Sequence, residues 1–206
     1  MKTEQHYRTI GEQVADPTPL GLFGLAMVTL VASSQKLGWT EGTSFLLPWA
    51  ILLGSIGQLI ASYFDFKKNN AFGSVVFAAY GLFWSAIGLG WLISLGALGP
   101  ELQQAVDLNQ LGVAYIGYFI FTMFGTVAAL ETNKVVFMIM VLIDFLFLGL
   151  FLDTLGWAGD WAHRLAAWSE FLIALFGFYG AGSILINNVA GRGVLPLGKP
   201  FGILKK

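Results

Sequence analysis

The chain reads as an all-α integral membrane protein of six transmembrane helices, and three observations carry that reading. Hydrophobic residues make up 56% of the 206 and charged ones only 11%, whereas a water-soluble domain carries roughly 25% charged residues to cover its surface. The apolar residues gather into six runs between short polar breaks, and runs near ~20 residues match a ~30 Å hydrocarbon layer at ~1.5 Å of rise per residue. Lys2, Arg8, Lys67, Lys68, Lys134, Arg192, Lys199, Lys205 and Lys206 fall on the side holding both chain ends, and Lys36 and Arg164 on the other. That asymmetry follows the positive-inside rule and predicts a multi-pass protein of the cell inner (plasma) membrane with both termini cytoplasmic.

Composition also removes whole classes of function. A net charge of −1 gives no reason to expect nucleic acid, and the absence of cysteine excludes disulfides, thiolate metal sites and a cysteine nucleophile. His6 in the N-terminal tail and His163 in a loop form no metal-binding cluster, so neither a metal nor a cofactor is expected. No nucleophile has a base beside it in sequence, which leaves an embedded enzyme without support.

Residues 1 to 15 are polar and read as a cytosolic tail rather than a cleaved leader. The six-span domain then covers residues 16 to 190. Its opening stretch, Asp16-Pro17-Thr18-Pro19-Leu20-Gly21-Leu22, reads as a fixed helix start with Thr18 as N-cap and Pro19 as the first helical residue, where a missing N–H costs nothing. Such a start leaves unpaired amides and a positive dipole end, the recipe for holding a carboxylate. The plainer alternative is that it only begins a helix.

The first span runs from about Pro19 to Ser34 and the second from about Thr43 to Tyr63. Asp65, Lys67, Lys68, Asn69 and Asn70 form a charged turn into the third, about Phe72 to Leu95. The Gly96 to Asn109 connection leaves the membrane at Gly99-Pro100. A fourth span covers about Leu111 to Leu130, a turn at Glu131 to Lys134 leads into the fifth, about Val135 to Leu152, and the sixth runs from about Leu165 to Asn187. Residues 191 to 206 read as a cytosolic tail. Asp16 to Gly21, Asn70 to Gly73 and Asn133 open the odd-numbered spans with small or polar residues, a hint of a threefold internal repeat.

Polar side chains within spans face protein or water rather than lipid. Ser55, Gln58 and Ser62 share one face of the second span, and Tyr115, Tyr118, Thr122 and Thr126 one face of the fourth. These stripes serve helix-to-helix hydrogen bonding or a solute path equally well. Asp144 and Glu170 are embedded with no lysine or arginine inside a span to pair with. They are candidates for proton coupling, or neutral acids tying helices together.

The same residues resemble the acetate uptake transporter family, the succinate-acetate permeases of bacteria, archaea and fungi. The family signature Asn-Pro-Ala-Pro-Leu-Gly-Leu is similar to Asp16 to Leu22, and Gly57-Gln58-Leu59-Ile60-Ala61, Lys67 to Gly73, Tyr80 to Trp84, Phe124-Gly125-Thr126 and Gly191 to Gly198 follow in family order. The resemblance implies a homo-hexamer, each protomer enclosing a central conduit for acetate and sometimes succinate. It also implies a hydrophobic constriction, with Tyr80 matching the family tyrosine, Leu25 in place of its phenylalanine, and Leu142 or Ile143 in place of its leucine. Asp16 replaces the family asparagine, either as a cap alone or as a proton-linked gate.

The leading expectation is therefore a transporter or channel for acetate and related short carboxylates. Asp16, Pro17, Thr18, Pro19, Leu20, Gly21, Gln58, Tyr80 and Thr126 would contact the solute, and coupling to protons stays open. The alternatives are a hexameric channel for a neutral solute such as urea, and a non-transporting membrane sensor.

Overall fold

The computed structural model describes residues 14–204. Six helices long and apolar enough to cross a membrane run through it: α1 (Thr18–Lys36), α2 (Leu46–Lys67), α3 (Ala71–Ser94), then, after the short α4 (Pro100–Gln104), α5 (Leu108–Ala129), α6 (Lys134–Thr154) and α7 (Asp160–Ala190). The readings made on the first 13 residues and the last two lysines lie outside the described residues.

The helices close into a ring. α7 packs along α1 and α6, α6 along α5, and α2 along α1 and α3, whereas α3 and α5 approach only narrowly. Tyr80 and Tyr118 bridge that narrow seam, Tyr80 Oη pairing with Thr122 Oγ1 at 3.0 Å and Tyr118 Oη donating to the Ala79 carbonyl at 3.0 Å. A ring of six leaves a central axis that side chains must fill or leave open, and the helices turn apolar side chains such as Val113, Phe124 and Val189 outward. Exposed residues of this kind on every helix suit a surrounding bilayer.

Several boundaries differ from the expected ones. α2 extends to Lys67, and Asp65, expected in a surface turn, is fully buried. Its Oδ1 accepts from Asn70 Nδ2 at 3.0 Å while the Asn70 amide closes the turn onto the Asp65 carbonyl, so the acid is drawn into the helix pair rather than out to water. From Trp49 to Gly57, α2 is a π-helix, directly after Pro48. The widened turn brings the Leu53 carbonyl against Gly24 of α1, where any side chain would collide, and such segments are common at functional sites. α4 sits in the long connection expected to be irregular, begun by Pro100 at its first position. α7 starts five residues before the expected span, because its polar first turns need not lie in lipid, and His163 is therefore helical rather than in a loop.

The chain after α7 folds back over the turn between α5 and α6. Asn187 Oδ1 accepts from the amides of Val194 and Leu195, Val135 N donates to the Leu197 carbonyl, and Phe201 N to that of Leu130. Gly198 holds φ +77° with Lys134 packed where a side chain would stand, which accounts for a glycine there.

Candidate functional site

The N-termini of the three odd-numbered spans, α1, α3 and α6, converge on one cavity of about 150 Å³. Thr18, Asn70 and Asn133 line its mouth, Leu22, Phe77 and Met140 its walls, and Gln58, Leu25, Tyr80 and Ile143 its deeper part. The hint of a threefold repeat has this geometric counterpart: three helix starts face one opening, those of α3 and α6 adding the positive ends of their dipoles. The Asn70 side chain accepts from Gly73 N at 3.2 Å and that of Asn133 from Val136 N at 3.0 Å, so both asparagines cap their helices by their oxygens, while Asn70 Nδ2 donates to Asp65 Oδ1 at 3.0 Å.

The start of α1 is built differently from the expectation. Pro17, not Thr18, is the capping residue, and the Asp16 carboxylate supplies the acceptor, taking the Thr18 amide at 3.2 Å and the Thr18 hydroxyl at 2.8 Å. Leu20 N and Gly21 N both donate to the Pro17 carbonyl, and Pro19 has no N–H. No unpaired amide is thus left at this helix start, because the chain's own carboxylate occupies it. Of the Asp16 to Leu22 stretch only Thr18 and Leu22 line the cavity. Leu20 is largely exposed, and Gly21 is the contact point of α1 with the Phe77 ring, which a side chain would displace.

Deeper in, Leu25, Tyr80 and Ile143 stand together at the end of the cavity and also line the narrow gap of about 10 Å³ beyond it. Ile143 is 3% exposed and lines both spaces, whereas Leu142 lines neither. Behind them Phe147 closes the axis. Its ring stacks on Tyr80 and Tyr118 at 6.4 and 5.4 Å between centroids and meets Phe83 edge-on at 5.2 Å. Phe83 and Phe147, which line the narrow gap, were not among the expected lining residues. In an α6 apolar on all sides, the spacing of Val136, Met140, Ile143 and Phe147 on one face was the only signal available.

A second cavity of about 520 Å³ lies toward the far ends of α3 and α5, against α4 and lined by Ile87, Trp91, Leu111 and Tyr115. Tyr80, Ile87 and Ser94 stand at seven-residue steps on α3, as do Thr122, Tyr115 and Leu108 on α5. Seven residues are close to two turns, so this cavity continues the face that bears the constriction.

Comparison with known proteins agrees with the six-helix fold. Residues 2–192 match the GPR1/FUN34/yaaH family. The chain belongs to that family. It is 30% identical over 188 residues to the succinate-acetate/proton symporter SatP of Escherichia coli K12, covering 91% of this chain and 97% of the relative. It is 27% identical over 150 residues to acetate permease A of Emericella nidulans, covering 69% and 50% of the two chains. The solved structure of the bacterial acetate channel SatP superposes with a TM-score of 0.83 at 28% identity, over 90% of this chain and all of that one. These relatives are transporters or channels by name.

Within this family member the two embedded acids sit away from the cavity. Thr126 Oγ1 donates to Asp144 Oδ2 at 2.7 Å between α5 and α6, and neither residue lines the cavity, so the expected contact of Thr126 with a solute is replaced by this bond. Glu170 is not unpaired. Lys36, the last residue of α1, reaches back to Glu170 Oε2 at 2.9 Å, which sequence distance concealed. His163 joins the same end of α1, with Nδ1 3.0 Å from Asp153 Oδ2 and Nε2 3.2 Å from the Lys36 carbonyl.

Asp16 also gathers Lys68 Nζ and Asn188 Nδ2, each at 3.3 Å. Burial pushes its pKa up, but the Thr18 and Asn188 hydrogen bonds and the Lys68 charge together hold it below the usual carboxylate range. Asp16 is an anion at neutral pH.

Proposed function

We propose that this protein carries acetate and related short monocarboxylates across the cell inner membrane. The observation that supports it best is the cavity where three helix N-termini meet and whose far end is closed by Leu25, Tyr80 and Ile143. Positive helix ends and the Asn133 amide draw a carboxylate to the mouth. The apolar ring below repels water yet fits a methyl group, so the path gates by dewetting. Small solutes suit a space of about 150 Å³.

In this reading residues 16–190 form the transport domain between two cytosolic tails, both termini are cytoplasmic, and the protein acts as a homo-hexamer and not as an enzyme. The outward apolar side chains of α5, Val113, Ile120, Met123 and Phe124 among them, give the hexamer a surface to bury. Asp16, Lys68 and Asn188 form the rim of the mouth.

Uptake of labelled acetate into proteoliposomes tests the proposal. Protein-dependent uptake that is competed by propionate and not by urea is expected. Binding of acetate without flux would instead mean a sensor, and competition by urea alone a neutral-solute channel.

A further inference from the structure

Three tyrosines lie along the facing sides of α3 and α5, and one of them keeps its hydroxyl free. Tyr80 Oη is paired with Thr122, and Tyr118 Oη with the Ala79 carbonyl. Tyr115 is 7% exposed, with its ring packed on Phe83 and Phe147 at 6.1 and 6.2 Å between centroids. Its hydroxyl has no hydrogen-bond partner among the described residues and is not sealed in by protein atoms, and the residue lines the far cavity of about 520 Å³. Trp91 lines the same cavity. Its indole N–H, which can only donate, also has no partner among the described residues.

Most of the remaining lining is apolar, Ile87, Leu102, Val106 and Leu111 included. α4 is held over the far end by Gln103 Nε2, which donates to the Ser94 carbonyl at 2.9 Å. Among the described residues the charged side chain on this cavity is Asp107 at its rim, whose Oδ1 accepts from Asn109 N and Nδ2 at 2.9 Å each. From the level of Tyr115 to that of Leu108, beside the rim, is seven residues of α5, or about 10 Å of helix. The volume falls in the range of about 300 to 1,000 Å³ that small-molecule sites occupy, and an apolar wall with a few fixed polar groups is their usual make-up.

These features select a ligand. An apolar body that fills the cavity displaces water from apolar walls, which is favourable in proportion to the area covered. The free O–H and N–H ask for an acceptor on that body. A small anion crosses such a space with its water, but a ligand that fills it does not, and an anionic head would then be buried with no cation near it and the Asp107 carboxylate at the rim. A carbonyl or ester oxygen meets the same donors without that cost. Size also decides its fate: the cavity at the helix starts holds about 150 Å³ and the gap beyond the constriction about 10 Å³, so a rigid compound that fills the far cavity does not pass on.

We infer that the far cavity is a binding site for an uncharged apolar compound bearing a carbonyl-type acceptor, which accepts from the Tyr115 hydroxyl. Resting on the transport reading above, its occupant stands across the solute's way and blocks flux. Tyr115 is the residue that reads the acceptor.

The chain has no cysteine, so a single introduced thiol reports on the site without background. In the full-length protein in detergent, Leu111→Cys is labelled with a small methanethiosulfonate reagent in the presence of acetophenone, ethylbenzene or phenylacetate. Leu89→Cys, on α3 and 53% exposed, reports partition into detergent. Acetophenone is expected to protect Leu111→Cys and not Leu89→Cys, and to do so better than phenylacetate. Adding Tyr115→Phe should shift the ratio of half-protecting concentrations for ketone and hydrocarbon by about fivefold, the worth of one neutral hydrogen bond, while partition cancels. Equal protection of the two thiols, a preference for phenylacetate, or an unshifted ratio in Tyr115→Phe would each overturn the site; if that variant does not fold, the comparison of the two thiols and of ketone with anion still decides. In proteoliposomes acetophenone should slow protein-dependent acetate uptake over the concentrations that protect. Undiminished uptake at full protection would overturn the blocking role alone. Absence of any protein-dependent acetate uptake would overturn the transport reading and the blocking role with it, and leave the protection result to decide the site.

Discussion

At its first turn α1 meets the carboxylate of Asp16, and at its last turn its own Lys36 meets the carboxylate of Glu170. The two pairings differ in depth. Asp16 is 29% exposed and shares four donors, the Thr18 amide and hydroxyl, Lys68 and Asn188, drawn from α1, the turn after α2 and the end of α7. Glu170 is 2% exposed and has one ionic partner, Lys36, which is 18% exposed. An exposed pair exchanges with water at little cost, whereas a buried charge stripped of its partner has nothing to replace it. The difference implies that the Lys36 end of α1 is a structural lock between α1 and α7, and that the Asp16 end, beside the cavity mouth, is the end free to respond to solute and pH.

Breaking the lock should have the largest effect. Lys36→Ala leaves Glu170 buried and unpaired, and a loss of about 3 kcal/mol is expected from removing one partner of a buried pair. Thermal unfolding in detergent measures it, with Glu170→Gln as the milder counterpart because the remaining lysine can reach water. Selectivity among acids should be unaltered in the protein that stays folded. If Lys36→Ala left stability intact and abolished only gradient-driven uptake, the comparison would break and Glu170 would return as a coupling group.

At the other end, Asp16→Asn restores the residue of the family signature and removes the charge, and should cost about 1 kcal/mol at pH 7, the usual worth of a capping carboxylate. The sign with pH follows from its depressed pKa. A carboxylate whose folded pKa lies below its unfolded value of about 3.9 stabilises the fold above that value and loses the contribution as pH falls through the folded one. The stability difference between wild type and Asp16→Asn should therefore be level well above the unfolded value and be lost as pH falls through the depressed folded one. A difference that grew on acidification would show that Asp16 is protonated in the folded protein.

Why the Glu170 lock was invisible in the sequence and the Asp16 site half visible is a matter of range. Six spans follow from local apolar content, and each long helix falls within a few residues of its expected place. The ends differ where a charge is buried by something distant. Asp65 looks like a turn residue until Asn70 and the close approach of Gly73 enclose it, and Lys36 meets Glu170 across 134 residues. Gln58 and Tyr80 stand in stretches that resemble family motifs and Leu25 was named in place of a family phenylalanine; all three line the cavity, and that Ile143 lines it and Leu142 does not depends on the rotation of α6, which a largely apolar helix does not reveal. The π-helix of α2 left only Pro48 and two glycines as a trace.

The smallest effect sharpens the comparison most. Lys68 is 33% exposed and 3.3 Å from Asp16, so Lys68→Met should change stability by no more than about 0.5 kcal/mol, as exposed pairs do. Its positive charge nonetheless stands at the rim where a carboxylate would arrive, and a charge of that kind acts on encounter rather than on fold. The expected outcome is an unfolding temperature close to that of the wild type together with a rise of about twofold in the acetate concentration that half-saturates uptake. That rise should disappear in high salt, because rim charges are screened beyond about 10 Å at 0.1 M. An equal loss of stability in Lys68→Met and Lys36→Ala would mean that both ends of α1 are locks, and that acetate enters the ring by some path other than the Asp16 rim.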